Sequence, residues 1–228
     1  MLEALFGLSG RNALVVGSTP IGLASRDLLA SAGATAEIVD LGVDEATVDA
    51  AFNDFAQRHE GLDILVYATT RVGTYPLTTM TLAQWDAVQE ANLRGAFLAF
   101  RAAIPLMQAR GGGAIVAIST MGSIHPVLKG NGAYGASKAG LNALVRSAAL
   151  DYAEDNIRVN AVLPGAVPIG EPPQDTVRMG GPAMEPGRLM LGMGTAEDVA
   201  GAVLYLASPA GRFVTGQALA LDGGFLIS

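Results

Sequence analysis

Residues 12–22 read NALVVGSTPIG, and this stretch decides the fold. Residues 12–16 form a short apolar run that Gly17 ends, and apolar residues recur at helical spacing over residues 21–32. The pattern predicts a strand, a tight turn and a helix in direct succession. Such a unit typically begins a parallel sheet, because parallel strands need a crossover connection, usually a helix, to lead the chain back.

The same succession recurs along the rest of the chain. Apolar runs predict five further strands, at residues 34–41, 62–68, 114–119, 157–163 and 218–222, and helical patterns occur at residues 44–58, 81–110, 132–154 and 196–207. Runs that are apolar throughout belong to strands buried on both faces. We therefore predict the α/β class: a single doubly wound parallel sheet with helices on both faces. No linker composition or internal repeat divides the chain, which indicates one domain over residues 1–228.

Residues 166–193 interrupt the alternation with five prolines and four methionines. This segment is too long for a passive connection, and we interpret it as an irregular substrate lid. Methionine side chains adapt to irregular apolar ligands, so we expect an apolar or aromatic small-molecule substrate. The apolar side chains assigned to the lid are those of Met179, Met184, Leu189, Met190, Leu191 and Met193. The alternative is that they pack against the core or against a partner subunit.

The composition narrows the function classes. Half of the 228 residues are hydrophobic and 15% are charged, which is typical of a folded chain with a sizeable core. The 14 basic and 21 acidic residues give a net charge of −7, which argues against nucleic acid or an anionic membrane as a partner. Without cysteine and with two isolated histidines, the chain offers no basis for a metal site. No apolar run is long enough for a membrane helix and no signal-peptide pattern is present, so we expect a cytoplasmic location.

Tyr134 and Lys138 are the strongest chemical signal in the sequence. They lie four residues apart near the start of a predicted helix, hence on one face, where both can contact one ligand. A phenol has a reference pKa of about 10, and a neighbouring ammonium group lowers that pKa by favouring the phenolate. The pair could therefore exchange a proton with an alcohol or a carbonyl near neutral pH. Alone, so short a pattern also fits a tyrosine and a lysine on a solvated helix face.

Matches spread along the chain give the pair its context. The segments ALVVGST, IGLA, LDILVYA, NLRGAF, GGAIVAIST, YGASKAG, IRVNAVLPGAV, AEDVAGAVLYLAS and FVTGQALALDGGF occur in this order. By these segments the chain resembles the short-chain dehydrogenase/reductase family over essentially its whole length. The resemblance implies a Rossmann-type domain that transfers hydride between a nicotinamide cofactor and an alcohol or carbonyl. It also implies that Tyr134 is the general acid/base and that Lys138 lowers the pKa of Tyr134 and holds the nicotinamide ribose.

The resemblance extends to further catalytic residues. Asn92 of NLRGAF matches the asparagine that supports a proton-relay water; the alternative is that it ties backbone groups together inside a long helix. The hydroxyl that orients the substrate oxygen falls on Ser119 or Thr120. Neither stands at the family's usual distance from the tyrosine, which indicates a small insertion in the loop and leaves both as candidates. Either hydroxyl could instead cap the end of the strand.

The cofactor side departs from the family pattern. A dinucleotide pyrophosphate is held by backbone N–H groups at a helix N-terminus, where glycines let the main chain approach. The resemblance places these contacts at Gly17, Ser18, Thr19, Ile21 and Gly22. The turn is one residue shorter than the family's, and Pro20 lacks an N–H, so a plain strand-to-helix turn is the alternative. Two other cofactor contacts are altered: residues 67–70 read YATT where the family has NNAG, and Ile169 replaces a threonine.

Asp40 bears on the choice of cofactor. Residues 34–60 have room for one strand and one helix, roughly one βα unit fewer than the family has there. If residues 36–40 form the strand beside the first one, Asp40 accepts the adenosine ribose hydroxyls. That contact favours NAD(H) over NADP(H), because a carboxylate repels a 2′-phosphate. In the other alignment Asp40 makes a different, weaker contact. The remaining cofactor contacts that the resemblance implies are Ala68, Lys138, Pro164, Gly165 and Val167.

These observations leave three functions open. The first is an NAD(P)-dependent oxidoreductase that interconverts a secondary alcohol and a ketone. The second is a cofactor-independent lyase, dehalogenase or isomerase that uses the same tyrosine; halohydrin dehalogenases share a shortened nucleotide half but carry arginine where this chain keeps Lys138, which favours oxidoreduction. The third is a non-catalytic subunit or ligand-binding protein. The apolar helices at residues 81–110 and 132–154 indicate a homodimer or homotetramer, as the resemblance implies.

Overall fold

A parallel sheet organises the molecule, and its strands are the apolar runs of the sequence. The computed structural model describes residues 1–168 and 180–228. The strands of this part are β1 (Asn12–Val16), β2 (Thr35–Val39), β3 (Ile64–Tyr67), β4 (Gly113–Ile118), β5 (Ile157–Pro164) and β6 (Ala218–Leu221). Neighbouring strands are all parallel, in the order β2-β1-β3-β4-β5-β6. The predicted α/β class with a doubly wound parallel sheet is confirmed.

Helices connect the strands at nearly the predicted positions. They are α1 (Leu2–Phe6), α2 (Pro20–Ser31), α3 (Glu45–His59), α4 (Leu82–Gln89), α5 (Gly95–Ala109), α6 (Gly132–Asp151) and α7 (Ala196–Ala207). Asp44 caps α3, and Thr81 and Thr195 form capping boxes at the starts of α4 and α7. The sequence did not predict α1, nor the π-helical segment Glu90–Arg94 that joins α4 to α5. None of the described helices is long and apolar enough to cross a membrane.

Two apolar cores lie on the two faces of the sheet. Side chains of a strand alternate between its faces, so Leu14 and Val16 of β1 pack with α3, α5 and α6, whereas Ala13 and Val15 pack with α2 and α7. Both sets are almost completely buried. The order in which strands are added reverses after β2, because β2 and β3 flank β1 on opposite sides. Ligands of doubly wound sheets bind beyond the carboxyl ends of the strands at such a switch point.

The short nucleotide half contains one strand and one helix, as its length predicts. β2 pairs with β1 along its whole length, with Val39 opposite Val16, and α3 follows. The alignment that places residues 36–40 beside the first strand is therefore the one observed. Asp40 follows directly after β2, at the carboxyl edge of the sheet, and β2 is the outer strand of the described sheet on this side.

The segment interpreted as a lid is described in part. Ile169 and Met179 lie outside the described residues. Residues 180–183 run along the loop between β4 and α6, and the backbone N–H of Leu191 donates to the carbonyl of Gly223 near the C-terminus (3.1 Å). The backbone N–H of Lys129 donates to Gly180 (3.0 Å), and that of Ala183 donates to the Val127 carbonyl (3.0 Å). Of the apolar side chains assigned to the lid, those exposed are Met184, Met190, Leu191 and Met193, while Leu189 packs in a small cluster with the C-terminal residues. A lid over the substrate stays a prediction.

Candidate active site

The turn after β1 is shaped by two close backbone approaches. Gly17 has a φ of +108°, and a Cβ there would lie 2.5 Å from the backbone nitrogen of Thr69. A Cβ on Gly22 would overlap the carbonyl oxygen of Gly17. Both positions therefore require glycine. Pro20 begins α2, and the Thr19 side chain caps the helix by accepting from the backbone N–H of Gly22 (3.1 Å).

The N-terminus of α2 retains two N–H groups for an anion. The N–H of Ser18 donates to Asp40 Oδ1 (2.7 Å), and the Ser18 hydroxyl donates to the second carboxylate oxygen. Pro20 has no N–H, and the N–H of Gly22 is used by the cap. Among the described residues, the N–H groups of Thr19 and Ile21 have no partner. They lie at the positive end of the α2 dipole, which favours negative charge.

A narrow cavity of about 50 Å³ opens next to this turn. It brings together side chains from the ends of β1, β3, β4 and β5 with the start of α6. Its walls are Thr19, Ile21, Ala68, Thr70, Ile118, Ser119, Thr120, Tyr134, Pro164, Gly165 and Val167. Of the residues predicted for the site, those outside the cavity wall are Gly17, Ser18, Gly22, Asp40, Asn92 and Lys138. Gly17, Ser18 and Gly22 lie in or next to the turn after β1, and Asp40 contacts this turn through Ser18. Asn92 and Lys138 are fully buried.

The phenol of Tyr134 lines this cavity, and its surroundings change its pKa. Burial raises the pKa of Tyr134 above its ordinary value, and the nearby hydroxyls of Thr70 and Thr120 lower it in part. The amine of Lys138 is not among the groups that lower it. In this structure the loss of solvent outweighs the interactions that lower the pKa of Tyr134, and the acidification by Lys138 stays a prediction.

The amine of Lys138 donates hydrogen bonds to backbone carbonyls. Its side chain is fully buried, and Nζ donates to the carbonyl of Ile118 (2.8 Å) and, at longer range, to that of Thr69 (3.4 Å). Burial lowers the pKa of Lys138 to about 7, because desolvation disfavours the charged form. The amine thus joins the ends of β3 and β4, the two strands that carry the cavity wall. One of its three donors remains for a further partner.

Asn92 is a bracing residue in this structure. It lies in the π-helical segment, its Oδ1 accepts from the backbone N–H of Arg71 (2.7 Å), and its Nδ2 donates to the Arg71 carbonyl (3.0 Å) and to Ser137 Oγ (3.0 Å). Ser137 Oγ donates in turn to the Tyr134 carbonyl (2.8 Å). Asn92 therefore ties the loop after β3 to the first turn of α6. The observed contacts match the alternative in which the side chain holds backbone groups, and the proton relay stays a prediction.

The two candidate hydroxyls differ in their surroundings. Ser119 Oγ makes a long contact to the carbonyl of Lys138 (3.4 Å). Thr120 Oγ1 accepts from the backbone N–H of Gly122 (3.2 Å) and stands close enough to the phenol to lower the pKa of Tyr134. Ser119 does not affect that pKa. The neighbour of the phenol is therefore Thr120.

Thr70 and Ile118 are wall residues that the sequence reasoning missed. Thr70 Oγ1 lies near the phenol, yet it is buried and has no hydrogen-bond partner of adequate geometry among the described residues. A buried hydroxyl without a hydrogen-bond partner lowers the stability of the fold, unless a bound ligand supplies that partner. The signal was present, because residues 67–70 differ from the family's NNAG and introduce this hydroxyl.

Comparisons with known proteins agree with this architecture. A family model described as enoyl-(acyl carrier protein) reductase matches residues 20–226. A protein of Bradyrhizobium diazoefficiens named as a probable short-chain type dehydrogenase/reductase is 37% identical over 190 residues, which are 80% of this chain and 66% of that protein. The chain belongs to the short-chain dehydrogenase/reductase family. It is thus an oxidoreductase by family, as the sequence predicted.

Two further short-chain dehydrogenases illustrate the range of this family. The cis-4-hydroxycyclohexanecarboxylate dehydrogenase of Sinomonas cyclohexanicum is 39% identical, covering 80% of this chain and 73% of that protein. A crystal structure of a gluconate 5-dehydrogenase from Burkholderia cenocepacia, in complex with NADP and tartrate, superposes with a TM-score of 0.88 and 28% identity over all of both chains. The chain spans 66 to 74% of the length of the first curated relatives that it matches.

Members of the short-chain dehydrogenase/reductase family bind NAD or NADP, and the residues of this chain fit such a group in part. The free N–H groups of Thr19 and Ile21 offer an anion site, and the unpaired Thr70 Oγ1 offers a hydroxyl in the adjoining cavity. Asp40 lies at the carboxyl end of the strand beside β1. Pro20 removes one donor, and the described cavity is small beside typical ligand pockets of about 300 to 1,000 Å³.

Proposed function

We propose that the protein is an NAD(P)-dependent oxidoreductase that interconverts a secondary alcohol and a ketone. The observation that supports this most is the wall of the narrow cavity. The Tyr134 phenol and the Thr120 hydroxyl line it together with Thr19 and Ile21, whose N–H groups are open to an anion. Proton transfer and dinucleotide binding would thus take place side by side at the switch point of the sheet.

Tyr134 moves the proton in this proposal. In ketone reduction its O–H protonates the substrate oxygen, and in alcohol oxidation its oxygen takes the hydroxyl proton. Thr120 orients the substrate oxygen by a hydrogen bond, with Ser119 as the alternative that the sequence leaves open. When bound, the nicotinamide supplies or accepts the hydride.

Lys138 and Asn92 position the catalytic wall. Lys138 holds the carbonyls of Ile118 and Thr69 and has one donor left, which we assign to the ribose hydroxyls of the cofactor. The remaining cofactor contacts in this proposal are those predicted from the sequence: Gly17, Ser18, Gly22, Asp40, Ala68, Pro164, Gly165 and Val167.

Asp40 supports NAD(H) over NADP(H). Its carboxylate lies at the end of β2 and accepts from Ser18, so a 2′-phosphate brought to this point would meet a negative charge. Replacing Asp40 by Ser would remove that charge and improve NADPH binding relative to NADH. Fluorescence titration of both reduced cofactors against wild type and the D40S variant measures this ratio. A wild-type preference for NADPH would contradict the assignment.

The decisive experiment combines cofactor binding with loss of the phenol. Wild type should bind a reduced nicotinamide cofactor and reduce members of a panel of apolar and aromatic ketones, and Tyr134→Phe should bind the cofactor equally but reduce ketones roughly 10²- to 10⁴-fold more slowly. No binding of NADH or NADPH up to millimolar concentration would remove the proposal. Cofactor-free chemistry by the same tyrosine would then be the better candidate, because Pro20 and the narrow cavity already weaken the dinucleotide site.

The association state and the location are part of the proposal. A homodimer or homotetramer is supported by apolar side chains on the outer faces of the long helices, among them Phe97 of α5 and Leu150 of α6, which are 49% and 80% exposed. The cytoplasmic location expected from the sequence stays a prediction.

A further inference from the structure

A second cavity lies at the opposite edge of the sheet from the active site. Its volume is about 410 Å³, and it is formed where β1, β3, β4 and β5 begin, closed on one side by the turn after α7. The amino ends of parallel strands do not face the catalytic crevice, so this cavity is separate from the site described above. Four of its lining residues are arginines: Arg11, Arg110, Arg158 and Arg212.

One acidic side chain lines this cavity and serves two of the arginines. Asp63 is 2% exposed, and its carboxylate pairs with Arg11 (2.9 Å) and with Arg110 (3.2 Å). Its Oδ2 also accepts from the backbone N–H of Asn12 (2.9 Å). Two guanidinium charges thus share a single carboxylate charge, which leaves one positive charge uncompensated at the cavity wall.

The other two arginines have no acidic partner among the described residues. Arg158 donates to backbone carbonyls, including those of Leu206 (2.5 Å) and Gly211 (2.9 Å), and so caps the end of α7. Carbonyl dipoles hold this guanidinium in place, but they carry no net charge. Arg212 is exposed at the rim and makes no ion pair or side-chain hydrogen bond within the described part of the chain.

The positive charge around this cavity therefore contrasts with the negative net charge of the whole chain. Capping of α7 accounts for the position of Arg158, and pairing with Asp63 accounts for those of Arg11 and Arg110. These roles do not account for the net charge of the wall. The two arginines that share Asp63 leave one positive charge, and Arg158 and Arg212 each add one, so three positive charges surround the cavity without a negative partner among the described residues. The whole chain carries a net charge of −7. Like charges held close together repel, so their concentration in one cavity is favourable when an anion enters it.

We propose that this cavity binds a small multivalent phosphate anion, such as a pyrophosphate or the di- or triphosphate end of a larger molecule. Guanidinium groups match phosphate oxygens with paired N–H donors, and several groups converging on one point favour a ligand with several negative charges. The cavity is wide enough for such a group and half of its lining is polar, so an apolar ligand fits it poorly. Arg212 is the rim contact, since it is the arginine that keeps all of its donors for a ligand.

The test is calorimetric titration of inorganic pyrophosphate into the full chain at constant ionic strength. Arg212→Gln removes the rim charge, and because Arg212 is exposed the variant keeps its fold. Two control variants distinguish binding in this cavity from a general effect of charge and from binding at the N-terminus of α2. Arg146→Gln removes an exposed arginine of α6 outside the cavity, and Thr19→Asp places a negative charge at the anion site of α2 while keeping a good helix cap.

Pyrophosphate should bind wild type, and R212Q should weaken that binding by roughly tenfold, as expected for the loss of one charge-assisted hydrogen bond. R146Q and T19D should bind as wild type does. No binding at millimolar concentration, or equal binding by R212Q, would overturn the proposal. Loss of binding in T19D alone would also overturn it, because the anion would then occupy the N-terminus of α2. The comparison of R212Q with R146Q does not depend on whether the chain is an oxidoreductase, because neither residue lines the candidate active site.

Discussion

At Tyr134, burial and the neighbouring hydroxyls act on the phenol in opposite directions. Burial raises the pKa of Tyr134, and Thr70 and Thr120 offset part of that rise. In the proposed reaction the phenol depends on a neighbouring hydroxyl that orients the substrate oxygen. Thr120 stands beside the phenol, whereas Ser119 contacts the Lys138 carbonyl. The roles of these two hydroxyls can therefore be separated by substitution.

We expect Thr120→Val to lower kcat for ketone reduction by roughly 10²-fold or more, as loss of one hydrogen-bond donor to a reacting oxygen does. Ser119→Ala should change kcat by only a few fold. Thr120→Ser keeps the hydroxyl and should restore most of the activity, which separates chemistry from packing. Steady-state kcat and KM of the three variants check this. A larger loss in S119A than in T120V would assign the role to Ser119.

Lys138 makes stability depend on pH. The pKa of its amine falls from the ordinary 10.5 to about 7 in the fold. Between these values the unfolded chain binds more protons than the folded one, so stability should rise with pH from about 7 toward 10.5. Below pH 7 the amine is charged in both states, and the cost of burying it is fully present.

The effect of Lys138 is isolated by comparing the free energies of unfolding of wild type and the Lys138→Met variant. The contributions of all other titrating groups are present in both proteins, so they cancel in the difference. The free energy of unfolding of wild type minus that of K138M should increase by roughly 2 kcal/mol or more between about pH 7 and pH 9.5, because one pKa unit corresponds to about 1.4 kcal/mol. Urea unfolding at the two pH values measures it. A difference that is constant or falls with pH would show that the amine is not buried in the way described.

Among the elements, the π-helical segment between α4 and α5 holds residues of the site in place through hydrogen bonds, although it does not line the cavity. Its extra residue per turn turns Asn92 inward, where three hydrogen bonds connect the loop at Arg71 with Ser137 of α6. The position of Tyr134 therefore depends on an element that contributes nothing to the cavity wall.

Asn92→Ala should lower the free energy of unfolding by roughly 2 to 4 kcal/mol, because it removes three hydrogen bonds of a fully buried side chain, each worth about 1 kcal/mol. Gln89→Ala is the matched control: it removes one bond, from Nε2 to the Ala133 carbonyl (3.0 Å), and should cost about 1 kcal/mol. Urea unfolding followed by circular dichroism measures both. Equal costs for the two variants would contradict the bracing role.

The sequence predicted these elements unequally, for physical reasons. β1 and α7 have the predicted bounds because a buried apolar run and a capped amphipathic pattern are local properties. The partner of the Lys138 amine was not predictable, because the Ile118 carbonyl reaches it only when β4 and α6 pack. The same holds for the partner of Asp40 within the fold: its carboxylate accepts from Ser18 of the turn, whereas its contact with a ribose stays a prediction. Spacing brings residues to one face, but packing decides which groups touch.

For the whole molecule, the predicted state of association rests on the outer faces of the helices. Phe97 of α5 is 49% exposed and lines a surface groove with Leu93, Glu90 and Arg94. An aromatic ring in such a groove is typical of a subunit contact.

Wild type should show the mass of a dimer or tetramer by light scattering, and Phe97→Asp should reduce that mass at least twofold by burying an unpaired charge in the contact. Leu82→Asp, at an exposed leucine of α4 outside the groove, is the control and should leave the mass unchanged. A monomeric wild type would contradict the predicted oligomer.

Because β2 is the outer strand of the described sheet on its side, its free edge is a template on which another chain could form intermolecular β-structure. Glu37, in the middle of β2, is bound by Arg58 and His59 of α3, and its hydrogen bond to Arg58 is the main reason that its pKa falls to about 2. This ion pair therefore stays charged as the pH falls toward about 2. A charged side chain in the middle of an edge strand is one of the features that oppose such pairing between molecules.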